Sequence, residues 1–130
     1  MKIINLIIIC IFFSFSGRCD QFDSRLPNLF DELYLSQEDQ EINSLTKKIW
    51  DIWHETNDIN IEADFFRGLE SMRTRDLIMS IAFFTKVIEK KPNFAEGWNK
   101  RATSYFMMGE FDKSMLDINQ TLKIEPRHFG

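Results

Sequence analysis

The sequence predicts an all-α fold built from antiparallel helix pairs, and three observations carry that prediction. Five Gly and three Pro in 130 residues leave long stretches without a chain breaker. Apolar residues recur at spacings of three and four, the mark of a helix with one buried face. Residue types also recur at an offset of 34 in the second half of the chain, and a period of that length denotes stacked repeats. Hydrophobic residues make up 44% and charged residues 28%, which suits a folded domain rather than a disordered tail.

The N-terminus stands apart from this plan. "MKIINLIIICIFFSFSGRCD" carries one Lys and then an apolar run from Ile3 to Ser16. Fourteen helical residues reach roughly 21 Å, short of the roughly 30 Å of a bilayer core. Residues 1–19 therefore read as a secretory signal peptide, with periplasmic or secreted localisation expected and a bacterial origin. The alternative is a membrane anchor, through an uncleaved N-terminus or a lipid on Cys19. Arg18 precedes that Cys, where lipoprotein signals carry a small residue. Cys10 lies in the leader, so at most one Cys remains and no internal disulfide is available.

Residues 20–60 read as an N-terminal helical segment. "LPNLFDELYL" makes a short helix with Pro27 near its start. "SQEDQEINSLTKKIWDIWHETND" makes a longer one, with Ser36 as its expected cap and Ile42, Leu45, Ile49, Ile52 and Trp53 on one face. Subtracting 34 from Ser80, Phe84 and Val87 gives Thr46, Trp50 and Trp53. The segment is thus expected to be a degenerate earlier repeat, its two Trp packing against the first clear unit.

That unit is 61–94, and a second is 95–128. Pro92 and Pro126, Ser80 and Ser114, Arg67 and Arg101, and Glu62 and Glu96 all obey the offset. In the second unit Trp98, Ala102, Tyr105 and Phe106 share one helical face. Gly109 ends that helix, Glu110 and Asp112 open the next, and Pro126 stops it. Phe111, Met115, Ile118, Leu122 and Thr121 form the expected apolar stripe of this last helix. Gly68 is small where the first helix of its pair must approach the second, and Ser80 where the second crosses back. Phe84, Val87 and Ile88 fill the space beyond.

Trp98, Ala102, Tyr105, Gly109, Phe111, Ser114, Ile118 and Pro126 in one unit, with Gly68, Ser80, Phe84, Val87 and Pro92 in the other, resemble the tetratricopeptide repeat (TPR) family. The resemblance covers about half the chain. It implies a right-handed superhelix whose concave face binds peptides or proteins. Carried over by position, that face would include Phe65, Leu69, Met72, Arg73, Asn99, Thr103, Phe106 and Met107. The alternative for Phe65 and Phe106 is packing against neighbouring helices. The family's terminal-carboxylate clamp of Lys, Arg and Asn is matched only at Asn99, so the groove suits an extended or helical apolar segment instead. Three places depart from the family pattern. Asp64 replaces a large apolar residue, Ser71 an aromatic, and Arg67 and Arg101 a Leu. Each Arg either snorkels to water or, at Arg101, reaches Asp117 in a buried ion pair.

Catalytic signatures do not emerge. The two His are far apart in sequence, "HETND" lacks the second His of a zinc helix, and there is no glycine-rich phosphate loop. No cofactor or metal is expected, and a net charge of −4 disfavours nucleic acid as a partner. The expected function is a non-catalytic exported module mediating protein–protein interaction. The alternative is a self-associating or membrane-tethered assembly subunit that uses its last helix. "RHFG" follows Pro126 where another unit would open, so that helix is expected to be uncapped: frayed, covered by a partner, or continued by a longer gene product.

Overall fold

The computed structural model describes residues 22–130; the expected leader, with Cys10 and Cys19, lies outside the described residues. Six helices follow one another: α1 (Leu26–Leu35), α2 (Asp39–His54), α3 (Ile59–Arg73), α4 (Leu77–Lys90), α5 (Ala95–Met107) and α6 (Phe111–Ile124). No strand occurs among the described residues. α1 packs on α2, α3 on α4, α4 on α5, and α5 on α6. This is the expected all-α, TPR-like arrangement of antiparallel helix pairs.

Local chemistry sets the boundaries. Asp58 and Asp76 each accept a backbone N–H in the first turn of α3 and α4, satisfying donors that a helix start leaves unpaired. Gly109 takes φ +80° between α5 and α6, a conformation that costs a glycine little. Ser36 plays a different part from the one expected. Its hydroxyl donates to the Glu32 carbonyl at 2.9 Å and closes α1, while α2 begins after Glu38.

The core of the repeats is Ile61, Phe65, Phe84, Val87 and Phe94, with Leu69 and Met72 at its margin. Phe65 meets Phe84 and Phe94 edge-on, at centroid distances of 5.8 and 5.3 Å. Gly68 admits the Phe84 ring into α3: a Cβ there would lie 2.7 Å from the ring. Ser80 has a different partner from the one expected. It meets Ser104 of α5, Oγ to Oγ at 2.8 Å, and so marks the crossing of α4 with the following unit.

Three polar contacts bind the stack. Arg101 donates to both oxygens of Asp117 at 2.7 and 2.9 Å and to Thr85 Oγ1 at 3.1 Å, joining α5 to both of its neighbours. Arg67 instead lies exposed, 6.0 Å from the Phe83 ring centre. Asp64 is buried and paired with Lys90 Nζ at 2.7 Å. The equivalent position in the next unit is Trp98, whose indole N–H donates to the Pro92 carbonyl at 2.9 Å. A charge pair across α3 and α4 thus replaces an aromatic anchor.

The stripe expected on α6 is largely uncovered, as an uncapped last helix implies. Phe111, Met115 and Leu122 are exposed and Ile118 is half-buried, while Thr121 is buried together with Ser114 and Asp117. In α4 the equivalent of Leu122 is Ile88, which is buried. α5 covers that side of α4, and no described helix covers it on α6. The helix is nevertheless formed to Ile124, and the Glu125 N–H extends its bonding with a 2.8 Å bond to the Thr121 carbonyl.

The N-terminal hairpin has its own core of Leu26, Ile49, Ile52 and Trp53, flanked by Leu29, Phe30, Leu33 and Trp50. Its Trp residues do not pack on the first clear repeat as expected; α2 meets α3 through His54, whose ring centre lies 6.2 Å from that of Phe65. Its Trp residues meet the C-terminal segment instead. The Trp53 ring stacks on His128, with centroids 4.2 Å apart, and lies 5.0 Å from Phe129. Trp50 meets Phe129 edge-on at 5.7 Å.

Gly68→Ala is expected to destabilise the protein by about 1–3 kcal/mol in urea unfolding, because the Phe84 ring is fully buried and cannot yield. Arg101→Leu is expected to cost about 3 kcal/mol by leaving the Asp117 carboxylate buried without its cation. Unchanged or raised stability would show that the pair stabilises nothing.

Candidate functional site

The residues expected to line a peptide groove divide into two groups. Phe65 is fully buried, held by the repeat core, and cannot touch a ligand, so packing is its role. Asn99 is also buried, and its amide donates to Glu96 Oε2 at 3.2 Å. Leu69 and Met72 are partly buried against the same core. Thr103, Phe106 and Met107 are exposed on the last two turns of α5, and Arg73 is exposed at the end of α3. Along α5 the two groups occupy different ends: closed near its start, open near its end.

The open end forms an apolar surface across one turn. Phe106 is 62% exposed and Phe111 58%, and their rings meet at 5.5 Å. Met107, Met108 and Met115 lie exposed beside them. Thr103 donates its hydroxyl to the Asn99 carbonyl at 3.0 Å, which leaves its methyl group as its outward chemistry. No charge partner is required for such a surface to take an apolar segment, and flexible Met side chains adapt to varied shapes.

The closed end is built around Glu96, which the sequence reading noted only as a repeat coincidence. It lies in the first turn of α5 and is 1% exposed. His128 Nε2 lies 2.9 Å from one carboxylate oxygen; the other lies 2.9 Å from Lys100 Nζ and 3.1 Å from His54 Nε2. The His128 Nδ1 accepts the Gly130 N–H at 3.2 Å, so the Nε2–H donates to Glu96. Burial pushes the Glu96 carboxyl upward. The hydrogen bond from His128, the nearby His54 imidazole and the charge of Lys100 outweigh burial and hold it down, at about 2. The positive end of the α5 dipole acts in the same direction. One carboxylate therefore joins α2, α5 and the C-terminal segment.

Comparison with known proteins accords with this architecture. A TPR repeat-containing protein of Rhizobium etli is 34% identical over 106 residues, 82% of this chain. The chain is a TPR-like repeat protein. It spans about half the length of that curated relative, 52%. No family model and no solved structure matches the chain. In this TPR-like protein the tetrapeptide Arg127–Gly130 carries the parts of the closed end that sequence reading missed. Its signal was present only as "RHFG" after a proline, which periodicity does not interpret.

The Glu96 carboxyl implies a defined acid response. Its folded value of about 2 lies below the ordinary 4.5, so its stabilisation is complete above about pH 4.5 and is lost as pH falls toward 2. Glu96→Gln is expected to cost about 3 kcal/mol at neutral pH. The gap between variant and parent, followed by urea unfolding, should close over that acid window. A gap independent of pH would assign the effect to packing.

Proposed function

We propose that this chain is a non-catalytic, exported TPR-like module that binds another protein through the apolar surface at the end of α5 and the start of α6. The observation that carries the reading is the exposed apolar cluster of Phe106, Met107, Met108, Phe111 and Met115. Contiguous apolar surface of this kind denotes an interaction site on a soluble protein. Thr103 and Arg73 border it in this reading, and Leu69 and Met72 supply its partly buried edge. The partner segment is apolar and extended or helical, since this surface offers methyl groups, rings and thioethers in place of a cationic clamp. The TPR family is generally non-catalytic, which accords with the reading. Export to the periplasm or beyond rests on residues 1–19; a membrane tether there is the alternative.

Self-association is a second reading, favoured by a separate observation. Leu122 lies exposed on α6, where the equivalent Ile88 of α4 is covered by α5. A second copy could cover that side of α6, and burial of each such side chain would contribute about 1.5–3 kcal/mol.

A photo-crosslinking residue at position 107, with one at exposed Lys123 as control, separates these readings. A discrete adduct with a different protein at position 107 alone is expected. Adducts of the chain with itself, together with a concentration-dependent dimer in sedimentation, would favour the second reading and overturn the first. Mass spectrometry of the native N-terminus tests export: loss of residues 1–19 is expected, and an intact or lipidated N-terminus would replace it with a tether.

A further inference from the structure

The C-terminal segment is attached in an unusual way. Its backbone bonds are local: the His128 N–H bonds the Glu125 carbonyl, the Arg127 N–H the Glu125 side chain, and the Gly130 N–H the His128 ring. Its polar and ring contacts with the rest of the protein are made by side chains, and the Gly130 backbone lies against the Trp50 ring. Arg127, pinned by both oxygens of Glu125, stands 4.5 Å from the Phe30 ring centre. His128 lies flat on Trp53 and donates to Glu96. Phe129 enters the angle between Phe30, Trp50 and Trp53 at 6.3, 5.7 and 5.0 Å.

The receiving surface is the more constructed of the two halves. Trp53 lies 6.1 Å from Phe30, and Trp50 is edge-on to Trp53 at 5.4 Å and stacked on His54 at 5.5 Å. Lys100 stands over Trp50 at 5.0 Å while it pairs with Glu96. The segment is enclosed at one end and open at the other: the His128 side chain is 1% exposed, while the Phe129 ring remains 44% exposed at the mouth of this aromatic box.

We propose that Phe30, Trp50, Trp53 and Glu96 form a recognition site for a short protein segment in which an imidazole precedes an aromatic ring, and that His128–Phe129 is its resident, displaceable occupant. The chemistry is specific at each position. The Glu96 carboxylate selects an N–H donor, the flat Trp53 face a planar ring stacked on it, and the box beyond a second ring presented edge-on. Aliphatic segments satisfy the box without the carboxylate and leave a buried charge short of a donor. The site lies at the closed end of α5, apart from Phe106 and Met107, so its failure leaves the proposed partner surface intact. A resident segment raises the apparent dissociation constant of any competitor by the inverse of the fraction released.

The test uses the full chain and a capped peptide copy of residues 125–130. With a fluorine label on the Phe129 ring, added peptide is expected to convert the seated resonance to that of a free ring. Phe129→Ala should bind the peptide about tenfold or more tighter than the unaltered chain, since its own segment no longer competes. A peptide with alanine in place of its phenylalanine should do neither. A seated resonance that stays fixed at saturating peptide overturns the proposal, as does equal affinity for both chains. Should Phe129→Ala lose its helical circular dichroism, the labelled parent chain decides alone.

Discussion

The structure depends on one buried carboxylate. Glu96 is the only point in the described residues where α2, α5 and the C-terminal segment meet through a shared polar group. Removing an ionised carboxyl from water is costly, and burial by itself would favour its neutral form. Two imidazoles, one ammonium and the start of a helix reverse that preference. The cost of burial is thereby converted into a geometric constraint, since three elements must be in place at once for the charge to be tolerated.

That constraint explains a division within the molecule. α3 to α6 hold together as repeats do, through the Phe65–Phe84–Phe94 cluster, the Ser80–Ser104 contact and the Arg101–Asp117 pair. The α1–α2 hairpin has a separate core and little direct contact with α3. It joins the repeats through Trp50, Trp53 and His54, which face α5 and the terminal segment. One end of α5 is therefore occupied by the chain's own side chains. The other end presents Phe106 and Met107 to solvent. Partner binding at the open end and occupation of the closed end are separable properties of one helix.

Much of this was legible in the sequence because repeats write their packing rules twice. Gly68 and Ser80 mark close helix crossings, and the 34-residue offset from Pro92 to Pro126 fixes the unit. Arg101 and Asp117 could be paired because they lie on adjacent predicted helices. What escaped was of another kind. Trp50, Glu96 and His128 are brought together by tertiary docking across 32 to 78 residues of chain, and no period relates them. Phe65 could not be assigned between groove and core because it lies between both in helical register; the Phe94 ring that encloses it comes from a loop. The exposure of Met115 and Leu122 on α6 was legible because the repeat stops after Pro126, leaving uncovered the side on which α5 covers Ile88 of α4.

Glu96 ties the N-terminal hairpin to the repeats without being needed by the repeats themselves. Native-state hydrogen exchange on Glu96→Gln measures this most directly, because it reports opening free energy element by element. The account predicts that amides of α2 lose protection while those of α3, α4 and the inner turns of α6 retain it. Uniform loss across all six helices, or unchanged protection in α2, would contradict it.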